Sequence, residues 1–69
     1  MNKTIPIKIE VTEYHYTVDR DLNGTYHVKI RKVTNGTAAP WKTFLSTGSL
    51  PYMLSEVTKL VKQGYKLIA

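Results

Sequence analysis

The sequence predicts an α+β domain. A three-stranded antiparallel meander, of order β-β-β-α with an optional short C-terminal fourth strand, packs on one C-terminal amphipathic helix. Three observations predict it. The Asn35-Gly36 dipeptide lies between two stretches whose apolar residues can pair. The N-terminal third alternates apolar and polar residues with the two-residue period of a half-buried strand. Leu50, Met53, Leu54, Val57, Leu60 and Val61 recur at three- and four-residue steps, the spacing of one helix face.

In the first strand Ile5, Ile7, Ile9 and Val11 alternate with Pro6, Lys8 and Glu10. Tyr14, Tyr16 and Val18 continue on even positions, so the phase slips by one. A slip inside a continuous strand calls for a bulge, expected near Thr12-Glu13. Pro6 cannot donate a ladder hydrogen bond, which places the start of this strand at a sheet edge. The run Asp19-Arg20-Asp21-Leu22-Asn23-Gly24 is a turn by composition. Matching Tyr14, Tyr16 and Val18 with Tyr26, Val28 and Ile30 requires a loop of odd length, with Gly24 in a left-handed conformation.

Folding the chain at Asn35-Gly36 sets Ile30 opposite Trp41, Val28 opposite Thr43 and Tyr26 opposite Leu45. The reverse side then carries His27 opposite Phe44 and Lys29 opposite Lys42. The third strand ends near Ser46, where Thr47-Gly48-Ser49 breaks it. Ser49 or Leu50 caps the helix, and Pro51 suits its first turn. Lys59 and Lys62 sit toward the negative end of the helix dipole, and Gly64 ends the helix. Residues 65–68 form either a short fourth strand beside residues 5–11 or an apolar tail on the core. The expected interface sets Tyr26, Val28, Ile30, Trp41 and Leu45 against Met53, Leu54, Val57, Leu60 and Val61. Each such burial contributes about 1.5–3 kcal/mol.

Sixty-nine residues make a single small domain, residues 1–69, with a core of limited size. No cysteine is present, which excludes disulfides and thiolate zinc sites. An apolar share of 42% and a charged share of 22% are those of a folded globule rather than a disordered chain. No apolar run approaches the ~20 residues that span a bilayer. The alternating N-terminus does not read as a signal peptide, so a cytoplasmic location is expected. The Asn-x-Thr triplets at Asn2, Asn23 and Asn35 are then incidental, since Asn-Gly-Thr is also a turn entering a strand. The net charge of +5 is uneven. Lys3, Lys8 and Arg20 face four acids among residues 1–21, whereas Glu56 is the one acid among residues 22–69.

No catalytic motif, phosphate loop or metal-ligand spacing occurs, and no cofactor is expected. Asp19 and Asp21 flank a turn, where aspartate bonds to nearby backbone. His15 and His27 have only Glu13 as a further ligand nearby, too few for a metal site. Thr47-Gly48-Ser49 precedes a helix and serves chain reversal and capping before anion binding. The aromatics Tyr14, Tyr16, Tyr26 and Trp41 read as packing residues; an exposed Tyr14 or Tyr16 would instead mark a protein interface.

The function expected is therefore that of a non-enzymatic binding module. Its leading candidate site is a basic outer sheet face of Lys29, Arg31 and Lys42, with His27 and Phe44 among them. Cations on such a face neutralise phosphates of DNA or RNA, and an aromatic ring stacks on a base. In topology alone the element order resembles the small three-stranded arm-binding domains of integrases, but no motif of theirs is present and no residue role is carried over. The competing expectation is a protein-protein interaction module, an inhibitor or accessory protein. It would engage an acidic or larger partner through the edge of residues 5–11, or form a homodimer there.

Overall fold

The computed structural model describes residues 9–68. The elements run β1 (Thr12–Arg20), β2 (Tyr26–Thr34), β3 (Thr37–Ala38), β4 (Lys42–Thr47), α1 (Leu50–Lys62) and β5 (Tyr65–Leu67). They form an α+β fold: one five-stranded, mostly antiparallel sheet and one C-terminal helix. Strands β3 and β4 both pair with β2 on one side, and β1 pairs with β2 on the other. Strand β5 pairs with β1 in parallel, through Tyr14–Tyr65, His15–Lys66 and Tyr16–Leu67. A parallel return needs a crossover, and α1 supplies it by passing over the sheet from the β4 side to the β5 side.

The first strand departs from its expected form. β1 begins at Thr12, and Ile9 and Val11 before it are 78% and 57% exposed. The expected strand positions 5–8 lie outside the described residues. No bulge occurs at Thr12-Glu13: pairing with β2 is unbroken from Thr12–Thr34 to Arg20–Tyr26. The change of phase arises because Ile9 and Val11 precede the strand, so they need not share its buried face. Val11 is held by Asn35 instead. It donates its N–H to Asn35 Oδ1 at 2.9 Å, and its carbonyl accepts the Asn35 N–H at 2.8 Å.

The β1–β2 connection is the odd loop that the pattern requires. Asp21 donates its N–H to the Thr25 carbonyl, and Gly24 takes φ +81°. The Asp21 carboxylate accepts from the N–H groups of Asn23 and Thr25, which fixes the turn from within. At the second turn Asn35 and Gly36 have φ 51° and 82°, the left-handed pair of a type I′ hairpin.

Beyond that turn the expected register holds only briefly. Thr34–Thr37 and Val33–Ala38 pair as the turn dictates. Pro40 has no N–H to continue the ladder. Pairing resumes one residue later, with Ile30 opposite Lys42 and Lys29 opposite Thr43. A bulge at Phe44 then adds a second residue, so Val28 meets Leu45 and His27 meets Ser46. One slip exchanges the faces of a strand and a second restores them. Leu45 therefore reaches the core as expected, whereas Trp41 and Lys42 exchange sides.

Helix α1 starts at Ser49, whose Oγ accepts the Tyr52 N–H, and carries Pro51 in its first turn. It ends at Gln63, and Gly64 follows with φ +99°. Met53 and Leu60 are buried against Tyr16 and Val28, and Val57 packs beside them. Leu54 and Val61, expected in this interface, are each 52% exposed. Each follows a buried residue by one position, about 100° around the helix, and so turns off the narrow line of contact. Residues 65–67 do form a strand, beside Tyr14–Tyr16; of the expected partner segment 5–11, residues 5–8 lie outside the described residues. No helix among the described residues is long and apolar enough to cross a membrane.

Candidate nucleic-acid interface

The helix covers one face of the sheet, where Tyr16, Val28 and Ile30 lie. Residues of opposite parity project from the other face. Register therefore places His15, Lys29 and Arg31 together on the uncovered side, with His27 further along β2. His15 and Arg31 are directly opposite one another, and Arg31 Nε donates to His15 Nδ1 at 3.2 Å. With Nδ1 accepting, Nε2 carries the ring proton and faces Glu13 Oε2 at 3.3 Å. Glu13 also meets Lys66 Nζ at 3.6 Å. His15 is 8% exposed, so Arg31 is steered by a nearly buried ring.

The guanidinium so held lies over the indole of Trp41, with Cζ 4.3 Å from the ring centroid. This contact fixes Trp41 on the uncovered face, not in the core where pairing with Ile30 was expected. The cause is the slip at Pro40. Trp41 remains 36% exposed and forms a wet platform with Arg31. Sequence reading missed this pair, although Pro40 beside Trp41 was the signal that the ladder breaks there.

The five expected contact residues do not all converge. Lys29 and Arg31 share the uncovered face. His27 lies on it too, but its ring is engaged: Nδ1 meets Ser46 Oγ at 2.8 Å and Nε2 meets Asp21 Oδ2 at 2.9 Å. The bond from His27, followed by that from the Thr25 N–H, holds the Asp21 carboxyl below the usual carboxylate range. Phe44 is the bulge residue of β4 and is 43% exposed. Lys42 is a correction. It pairs with Ile30 and therefore belongs to the helix side of the sheet, not to the basic outer face.

On that side Lys42 borders a cleft of about 230 Å³. Tyr14, Tyr65, Ile30, Arg31, Lys32, Ala39 and Pro40 line it with Lys42, so Arg31 borders both this cleft and the Trp41 ring. The Tyr14 and Tyr65 rings are 5.3 Å apart and tilted by 48°. Their meeting depends on the parallel β5 pairing, which composition does not announce. Among the described residues, no group of three or more His, Asp or Glu side chains is placed to hold a metal ion.

No protein-family model, no curated protein and no solved structure matches this chain.

Proposed function

We propose that the chain is a small non-enzymatic binding module that contacts nucleic acid through the uncovered face of its sheet. The observation that supports this is the Arg31 guanidinium 4.3 Å from the centroid of an exposed indole, with Lys29 two residues away on the same face. A cation paired with an aromatic platform offers both parts of nucleic-acid binding. Arg31 and Lys29 attract phosphate, and Trp41 presents a face on which a base stacks. Phe44, in β4 beyond Trp41, adds a second exposed ring. His27, occupied by Asp21 and Ser46, orders the far end of the face rather than meeting a base.

The test is a gel shift with DNA and RNA at about 50 mM and about 200 mM salt, the range over which phosphate contacts weaken strongly. The chain has one tryptophan, so quenching of Trp41 emission reports contact at the platform. A shift that fades with salt, with quenching, is expected. Absence of any shift at the lower salt would end this reading.

A second reading has its own observation. β5 covers β1 only at Tyr14–Tyr16, and residues 17–20 of β1 pair with no further strand among the described residues. An exposed edge of this kind accepts a strand from a protein partner or a second copy. Lys29→Glu separates the two: it should abolish nucleic-acid binding and spare edge pairing. A pull-down with and without nuclease gives the same division.

A further inference from the structure

We propose that the cleft beside Tyr14 and Tyr65 receives one unpaired base of a single-stranded nucleic acid, with the flanking phosphates on Lys32 and Lys42. This rests on the nucleic-acid reading above and narrows it to single strands.

The size of the cleft sets the first limit. About 230 Å³ is below the ~300–1,000 Å³ of pockets that enclose drug-sized ligands, so one ring system fits and a whole cofactor does not. Its chemistry sets the second. The walls are Tyr14, Tyr65, Ile30, Ala39 and Pro40 with Arg31 beside them, a mainly apolar lining that favours stacking over hydrogen-bond readout. Bases of every kind have a π face, so such a site is tolerant of sequence. Tyr14 is 40% exposed, the condition under which its sequence position points to a protein interface; its place beside Tyr65, Lys32 and Lys42 favours stacking of a base instead.

Charge supplies the third argument. Lys32 and Lys42 border the cleft, both are exposed, and neither has a carboxylate partner among the described residues. The preferred occupant is thus a ring carried on an anionic chain. The segment from Ala39 to Lys42 supplies the last argument. Ala39, Pro40 and Lys42 line the cleft, and Arg31, which lines it too, carries the Trp41 ring at the same sheet edge. A strand passing around this sheet edge meets two stacking platforms and four cations. Bases in a duplex are paired and stacked, and extracting one costs energy that an already single strand does not spend. An acidic peptide would use the lysines but would leave the paired platforms without a role.

The experiment measures anisotropy of labelled oligothymidylate and of a duplex of equal length at low salt. Four proteins are compared: the natural chain, Ala39→Phe, the double variant Lys32→Glu/Lys42→Glu, and Lys29→Glu. Ala39→Phe fills the cleft, and an unchanged Trp41 emission spectrum checks that the neighbouring Arg31–Trp41 contact survives. The double variant retains a test if the larger side chain disturbs folding, which circular dichroism checks. Expected are preference for the single strand and a loss of about tenfold or more in both cleft variants. Binding that the cleft variants leave unchanged but Lys29→Glu weakens overturns the cleft and keeps the open-face reading. Equal affinity for duplex and single strand also overturns the cleft. No binding of any nucleic acid removes both readings. Polyglutamate binding that Ala39→Phe abolishes, without competition from oligothymidylate, makes the cleft a protein site and overturns the proposal.

Discussion

Arg31 lies over Trp41 at 4.3 Å while its Nε donates to His15 across the neighbouring strand. Three strands or their flanks thus meet in one planar cation. The indole comes from the irregular stretch after Pro40, the imidazole from β1 and the guanidinium from β2. This cluster stiffens the uncovered face where the sheet has no helix behind which to hide apolar surface.

Arg31→Lys should lower stability by about 1 kcal/mol, because an ammonium keeps the charge but loses the planar stacking and the bond to His15. Urea titration followed by Trp41 emission measures both effects. An emission spectrum identical to that of the natural chain would show that the stacking is not made in solution.

Leu60→Ala should cost about 2–4 kcal/mol. Leu60 is 3% exposed and packs in the cluster with Tyr16, Val28 and Met53. In a domain this small that is a large share of the total. The urea midpoint should fall with little change in slope; a loss below half a kilocalorie, as an order of magnitude, would place the helix elsewhere.

Gly36→Ala and Gly48→Ala should differ in outcome although both positions have open space around them. Gly36 has φ +82°, where a Cβ costs about 1–2 kcal/mol. Gly48 has no such backbone strain to meet, and its replacement should be nearly neutral. Thermal melts of the two variants check the contrast.

Ser49→Ala should destabilise by about 1 kcal/mol, because it removes the oxygen that accepts the Tyr52 N–H at the start of α1. Ser49→Asp should restore the loss and add a favourable charge at the positive end of the helix. Helical ellipticity and melting temperature are the readouts.

Acid should weaken the fold partly through Asp21. Its folded carboxyl is held below the usual carboxylate range, first by His27 and then by the Thr25 N–H. A lowered folded value means that the anion favours folding above the unfolded value. That contribution is lost as pH falls from the usual carboxylate range through the lowered folded one. Asp21→Asn should flatten this acid limb in melts taken from about pH 7 to about pH 2. An unchanged limb would assign the acid response to other groups.

Much of the fold is legible where a residue acts on its own neighbourhood. Asn35 and Gly36 adopt positive φ because few other residues do so at low cost. Gly24 makes the odd loop, and Gly64 follows the helix end for the same reason. Ser49 and Pro51 mark the helix start through capping and a fixed φ. The site is less legible. Lys29 and Arg31 lie together as strand alternation requires, but Lys42 does not join them. Its side depends on how the chain recovers after Pro40 and on the later bulge at Phe44.

Sequence by itself determined the α+β class, the turns at Gly24 and Asn35-Gly36, and the helix with Met53, Val57 and Leu60 turned inward, because these follow from backbone preference and local periodicity. That Leu54 and Val61 of the expected stripe turn outward was decided by packing. Tertiary structure decided the parallel placement of β5, and with it the meeting of Tyr14 and Tyr65. It also decided which of Trp41 and Lys42 faces the helix. Side chains alternate every residue along a strand, so one unpaired position exchanges the two faces, and that position is set by long-range pairing rather than by any residue alone.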